Sequence, residues 1–160
     1  MATAVITQNQ DAVVSEIEIA APPARVFQAL IDPQQVMQWW TGGECQIESF
    51  AMDARPGGRW RYMTKQGKLN VNGVSKFHCD GEVLEFDPPR VLSYTWFANW
   101  HEDTAERTVV RWELTPSPRG TTVKVTHSGL TRLPLSRKDY SGGWPVVVES
   151  LKKFVEQLSR

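Results

Sequence analysis

Residues 144–158, with the sequence WPVVVESLKKFVEQL, form the stretch that does most to decide the fold. Its apolar side chains recur at the i, i+3, i+4 and i+7 spacing of a helix, and charged or amide side chains fill the other positions. Pro145 would lie in the first turn, where proline costs little. The stretch therefore predicts a long amphipathic helix that needs an apolar surface to cover. Its apolar positions are Trp144, Val147, Val148, Leu151, Phe154, Val155 and Leu158.

Upstream of this helix the pattern is that of strands separated by short turns. Residues 13–19 alternate apolar with polar side chains, which predicts a half-buried strand, and two short helices follow at about residues 22–32 and 34–38. Strands joined by short turns pair antiparallel, and a sheet with one apolar face needs a cover. The order predicts an α+β fold in which a curved antiparallel sheet wraps around the C-terminal helix. The six further strands are expected at residues 45–52, 59–64, 74–86, 91–97, 108–115 and 121–127, the third of them long enough for a bulge.

Two segments show no period. Residues 1–12 are small and polar, and we expect a flexible tail ahead of a single domain at residues 13–160. Residues 128–143 contain glycines, a proline and charges, which is typical of a long surface connection and of the most mobile element in the chain. Leu130, Leu133 and Leu135 would then form either a lid over a cavity or a small cluster that holds the loop down.

Charge and composition exclude several classes of protein. Eighteen basic residues balance eighteen acidic ones, so no broad field favours nucleic acid or an anionic membrane. No apolar run approaches the roughly 20 residues of a membrane span, and no secretory signal is recognisable before Arg25. Cys45 and Cys79 make no disulfide framework, which favours a cytoplasmic protein. We expect no cofactor, and a monomer or homodimer.

Alternation along the strands sorts the aromatic side chains onto one face of the sheet. Trp60 and Tyr62 share a face of one strand, and Tyr94 and Trp96 share a face of another. The same parity places Trp112 and His127 on the face turned toward the C-terminal helix. Such a face either packs as solid core or lines a pocket with a few polar tips. The residues alone leave both readings open.

Titratable residues provide few candidates for chemistry. His127 lies on an apolar face, where it would serve as a general base, as a ligand-orienting group or as a hydrogen-bonded structural residue. His101 lies in a polar segment and is expected to be solvated. Asp80 and Glu82 share a strand face and form either an acid–base pair or part of a charge lattice on the outer face.

Metal-binding and nucleophile motifs are absent from the sequence. The run His78-Cys79-Asp80 places alternate groups on opposite faces of a strand, which is a poor metal site. In the outer-face lattice, Arg111 and Glu113 would be the remaining members. No catalytic residue is demanded by any pattern.

Motifs spread over about residues 13–158 resemble the START-like, or SRPBCC, superfamily with its helix-grip (birch-pollen-allergen-like) fold. Within it, the chain most resembles the family named for the activator of heat shock protein 90 ATPase. The motifs are Ala21-Pro22-Pro23-Ala24-Arg25-Val26-Phe27, Trp39-Trp40, Pro56-Gly57-Gly58-Arg59-Trp60, Gly81-Glu82-Val83, Pro88-Pro89-Arg90-Val91, Tyr94-Thr95-Trp96, Thr126-His127-Ser128-Gly129-Leu130 and Gly143-Trp144.

The resemblance implies a cavity between the sheet and the C-terminal helix, and hence a small hydrophobic or aromatic ligand. A co-chaperone-like module that binds a chaperone and a polyketide cyclase-like enzyme are the two alternatives that it also implies. The expected ligand-binding residues are Trp40, Trp60, Tyr62, Tyr94, Trp96, Trp112, His127, Trp144 and Val148.

Overall fold

The computed structural model describes residues 2–40 and 46–158. They form one eight-stranded antiparallel sheet with strand order β1-β2-β8-β7-β6-β5-β4-β3, two short helices after β2 and one long C-terminal helix. The predicted fold class is confirmed. The elements are β1 Ala4–Ile6, β2 Val13–Ile19, α1 Pro23–Ile31, α2 Pro33–Trp39, β3 Ile47–Met52, β4 Arg59–Thr64, β5 His78–Asp87, β6 Val91–Ala98, β7 Thr108–Ser117, β8 Gly120–Ser128 and α3 Pro134–Leu158.

The alternation of side chains correctly predicts the buried face of the sheet. On β7 the buried positions Val110, Trp112 and Leu114 alternate with half-buried ones, and β8 shows the same period. The long strand β5 is irregular between Val83 and Glu85, as its length suggested. This buried face supplies most of the core against which α3 packs.

The junction of α1 and α2 positions the paired tryptophans. The Asp32 side chain accepts a hydrogen bond from the Gln34 backbone N–H at 3.0 Å and so caps α2. The indole of Trp39 donates to the Ala29 carbonyl at 2.8 Å, which ties α2 to α1. Trp40 follows directly at the end of α2 and is buried. Cys45, the predicted start of β3, lies outside the described residues.

The expected flexible tail at residues 1–12 is partly wrong. Residues 4–6 form β1, which pairs antiparallel with Val13–Ser15 at the start of β2. The turn between them is closed by a hydrogen bond from the Thr7 backbone N–H to the Ala12 carbonyl at 2.9 Å. A three-residue strand is too short to show the alternation by which strands are recognised in a sequence.

The predicted surface connection at residues 128–143 is also wrong for most of its length. The helix α3 begins at Pro134, so Pro145 lies inside it and not in its first turn. Glu102 explains this early start, because its carboxylate accepts hydrogen bonds from the backbone N–H groups of Leu135 (2.6 Å) and Ser136 (3.1 Å). A cap from so distant a residue leaves no local signal in the sequence.

The leucines around the start of α3 are divided between the interior and the surface. Leu130 and Leu133 are fully buried in the core, and Leu135 is exposed. The first two therefore belong to the packing that holds the start of α3 down.

Candidate functional site

A cavity of about 270 Å³ lies beside α3, under the buried ends of β4 and β6 and the irregular segment before β5. Its walls are almost entirely aromatic and aliphatic. Among the described lining residues Asp139 is the only charged group. The lining residues are Trp40, Tyr62, Leu69, Val71, Phe77, Trp96, Trp100, Asp139, Tyr140, Gly143, Trp144, Val146 and Val147.

The nine residues expected to bind a ligand divide into two groups. Trp40, Tyr62, Trp96 and Trp144 line the cavity. The other five are buried in the core and do not line it. These five are Trp60, Tyr94, Trp112, His127 and Val148.

Hydrogen bonds explain why three of these five side chains, all three aromatic, pack as solid core. The Trp112 indole donates to the Tyr94 hydroxyl at 2.9 Å, and the Trp60 indole donates to the Thr95 carbonyl at 2.8 Å. With their polar atoms satisfied, these rings can be removed from water at little cost. Burial also raises the pKa of Tyr94, so its hydroxyl remains protonated at neutral pH.

Trp40 is at the centre of the aromatic wall. Its ring stacks on Trp96 with centroids 6.1 Å apart, and it contacts Tyr62 at 5.7 Å. It meets Trp144 edge-on at 6.0 Å. Offset-stacked and edge-to-face arrangements at these distances are the favourable geometries for aromatic pairs. The wall is therefore preformed by side chains from α2, β4, β6 and α3.

His127 is a structural residue whose two ring nitrogens are both engaged. The Trp144 indole N–H donates to Nδ1 at 3.1 Å, so Nδ1 must be an acceptor. The Thr108 hydroxyl donates to the Trp96 carbonyl at 2.9 Å, and Nε2 lies 2.8 Å from the same hydroxyl oxygen. Since that hydroxyl proton is used, Nε2–H is the donor, and the ring is a neutral Nε2–H tautomer.

Burial confirms that His127 is unsuited to proton transfer. Burial holds the pKa of His127 well below its usual range, and electrostatic repulsion from His101 lowers it further by a smaller amount. With the basic lone pair occupied by an indole N–H, His127 cannot take a proton from a ligand in this arrangement. Of the roles left open by the sequence, the contacts of both ring nitrogens favour the hydrogen-bonded structural one.

His101 was expected to be solvated, and this is wrong. It is only 4% exposed, and its Nε2 lies 2.7 Å from the Tyr140 hydroxyl. The same hydroxyl accepts a hydrogen bond from the Trp96 indole at 3.0 Å. Burial lowers the pKa of His101 to about 4. Tyr140, which α3 supplies only because it begins at Pro134, brings His101 into the interior.

Charged residues of β5 and β7 lie on the outer face of the sheet. Arg111 pairs with Glu85 at 2.9 Å and with Glu113 at 2.8 Å, which confirms the predicted charge lattice for two of its members. Asp80 instead faces His78 at 3.4 Å and is half exposed. The pairing lowers the pKa of Glu85, chiefly through the hydrogen bond from Arg111.

Neither a metal-binding cluster nor a membrane-spanning helix is found among the described residues. Within residues 2–40 and 46–158, no cluster of three histidine, cysteine or acidic side chains could hold a metal ion. Cys79 is buried, and burial raises the pKa of its thiol. None of the described helices has the length and apolarity needed to cross a membrane.

Several lining residues were not predicted, and most come from segments without a clear period. Phe77 and Trp100 belong to loops beside strand ends, and Leu69 and Val71 belong to the irregular stretch before β5. Two adjacent aromatic residues in an otherwise polar loop, such as Trp100 beside His101, are the one available signal.

The strand order, the long helix laid against the sheet and the cavity between them define a START-like protein with a helix-grip fold. The chain belongs to the activator of Hsp90 ATPase homolog 1-like protein family, whose sequence profile matches residues 20–156. No functionally curated protein matches the sequence.

Solved structures support the same fold. A Rhodobacter sphaeroides protein superposes with a TM-score of 0.77 at 17% identity, and covers 97% of this chain and 98% of its own. A Mesorhizobium loti protein gives 0.71 at 27% identity, with 91% and 97% covered. DynU16, a protein of the dynemicin biosynthetic locus, gives 0.68 at 23% identity, with 91% of this chain and 47% of that chain covered.

Proposed function

We propose that this protein binds a small, flat, hydrophobic or aromatic molecule in the cavity beside α3. The single observation that carries the proposal is a cavity of about 270 Å³ whose described lining is mostly aromatic and aliphatic. Apolar cavities of about 150 Å³ hold one benzene ring. This cavity therefore suits a ligand of roughly two fused rings, whose stabilisation would come from removing its faces from water.

The two alternatives have less support from the side chains. A cyclase-like enzyme needs a titratable group in contact with the ligand; His127 is held neutral behind the cavity wall, which leaves Asp139 as the only charged group among the described lining residues. DynU16 is a protein of the dynemicin biosynthetic locus, and this similarity is the observation that favours the enzyme alternative. A co-chaperone-like module needs a continuous apolar patch on its surface. Among the described exposed large apolar side chains, Val5, Leu84 and Leu135 lie on three different elements, and only Leu69 and Val146 lie together, at the cavity itself.

Gly143 offers a direct test, because it lines the cavity and has no Cβ. A Cβ built there meets no described atom within 4 Å, so a longer side chain would extend into the open space. Gly142 has equally open surroundings but lies outside this cavity. Gly143→Leu and Gly142→Leu are therefore a matched pair that differs in whether the cavity is filled.

The experiment is a titration with 2-naphthol, followed by tryptophan fluorescence and by calorimetry. We expect saturable binding to the wild type and to Gly142→Leu, and at least a ten-fold weaker affinity for Gly143→Leu. Absence of saturation in the wild type, or equal binding by both variants, contradicts the proposal. Stimulation of Hsp90 ATPase activity to the same extent by the wild type and Gly143→Leu would support the co-chaperone alternative instead.

A further inference from the structure

Asp139 is an exposed carboxylate and the only charged group among the described residues that line the cavity. It lies on α3 one turn before Gly143, so both residues face the same side of that helix. Among the described residues, its side chain has no hydrogen-bond donor and no basic partner within ion-pair distance. The neighbouring acidic residue Glu102, in contrast, is used in capping α3. The carboxylate of Asp139 is therefore available to a ligand.

The remaining walls of the cavity attract the same sign of charge. Trp40, Trp96, Trp100 and Trp144 all line it, and the face of an indole ring carries negative electrostatic potential that attracts cations. No lysine or arginine is among the described lining residues. An anionic ligand would thus meet a carboxylate and ring faces with no countercharge, which is unfavourable.

We propose that the ligand of this cavity is a cationic one, an aromatic amine or quaternary ammonium compound whose positive group contacts Asp139 and whose apolar body lies among the tryptophans. This inference rests on the proposed function and narrows its ligand class. A neutral flat molecule would gain the burial of its faces but leave the rim carboxylate without a partner.

The surroundings of Asp139 support this assignment. Partial burial raises the pKa of its carboxyl, the negative charge of Glu102 raises it further, and Lys138 opposes both. The ionised carboxylate is thus less stable here than in water. A bound cation would add to the compensating positive charge, of which Lys138 provides only the smallest of the three effects.

The test compares three probes of nearly the same shape, which are 2-(2-naphthyl)ethylamine, 2-(2-naphthyl)ethanol and the carboxylate of 2-naphthaleneacetic acid. At pH 7.5 they are cationic, neutral and anionic. We expect the amine to bind the wild type about five-fold more tightly than the alcohol, the upper range for an ion pair at a partly exposed position. The acetate should bind most weakly.

Variants separate Asp139 from general electrostatics. Asp139→Asn should bring the amine and the alcohol to equal affinity and leave the alcohol unchanged. Glu16→Gln removes the same charge from an exposed position of β2 that does not line the cavity, and should preserve the preference for the amine. Thermal unfolding of each variant checks that its fold is intact.

The outcomes distinguish this inference from the function on which it rests. If the alcohol binds and the amine binds no better, or if Asp139→Asn keeps the preference, the cationic assignment is wrong and the aromatic site stands. If none of the three probes binds the wild type, both proposals are refuted.

Discussion

Acidification from pH 7 to pH 5 should destabilise this protein through two buried histidines. In the folded state the pKa of His101 is lowered to about 4, and that of His127 is held well below the usual range, in both cases mainly by burial. In the unfolded chain both imidazoles take up a proton near pH 6.5. Between pH 6.5 and about 5, the unfolded state therefore binds more protons than the folded state, and stability falls as the pH falls.

The size of the effect follows from proton linkage. Each histidine that is neutral when folded and protonated when unfolded changes the free energy of unfolding by about 1.4 kcal/mol per pH unit below pH 6.5. Integrated from pH 7 to pH 5, this is about 2 kcal/mol for each residue, and about 4 kcal/mol for both. The carboxyls with lowered pKa values, Asp11, Glu85 and Glu102, add their losses at more acidic pH.

Urea denaturation at a series of pH values between 5 and 7 measures this slope. His127→Phe and His101→Phe should each reduce it by about half, since each removes one of the two groups. His127→Phe should also lower stability at every pH by about 1–3 kcal/mol, because the buried Trp144 indole loses its acceptor. Asp139, whose raised pKa acts in the opposite sense, is common to all variants and cancels in the comparison.

The double variant His101→Phe/His127→Phe provides the control, because it lacks both buried imidazoles and should lose most of the slope. A wild-type stability that is flat from pH 7 to pH 5, or a slope unchanged in His127→Phe, would refute the assignment of a buried neutral imidazole at that position.

Four further substitutions test the packing of the fold. Glu102→Ala removes the acceptor that caps α3 and should cost about 1 kcal/mol, a fall in melting temperature of about 2–4 °C; an unchanged melting temperature would show that the cap contributes nothing. Gly81→Ala would place a Cβ 1.9 Å from the Thr95 carbonyl oxygen, so we expect a loss of about 2–3 kcal/mol in urea denaturation, and a neutral effect would contradict the close approach of β5 to β6. Gly142→Ala and Gly143→Ala introduce a better helix former where a Cβ meets no described atom, and each should raise the melting temperature by about 2–4 °C in calorimetry; a fall would mean that these sites are not open.

The regular parts of this fold could be predicted because their signals are local and periodic. The i, i+3, i+4 pattern that ends at Leu158 marks the last turns of α3, and the alternation through Trp112 marks the buried face of β7. Each depends only on neighbouring side chains in the sequence. The pattern fails over the first half of α3. The group that stabilises its start is Glu102, which is distant in sequence, and Gly142 and Gly143 further along are poor helix formers.

The site was harder to predict than the fold. The alternation of side chains along a strand indicates which face of the sheet a residue lies on, but it does not indicate how far along the sheet that residue is from the cavity. Trp96 and Trp112 share the buried face, yet only Trp96 lines the cavity. Trp96 lines the cavity together with Trp100 and Tyr140, and these two residues come from segments that the sequence predicts to be loops. His101 was misplaced for the same reason, since its partner is Tyr140.

The pairing of β2 with β8 has a consequence for the order in which this chain can fold. Val13 pairs with His127, so β2 finds its partner only after the strands β3 to β7 have been made. The strands β3 to β8 pair mostly with their neighbours in sequence and can assemble earlier, with their apolar face still uncovered by α3. Contacts between such distant positions slow folding, and exposed apolar surface favours aggregation. A nascent chain of this protein should therefore remain vulnerable on the ribosome until α3 has emerged.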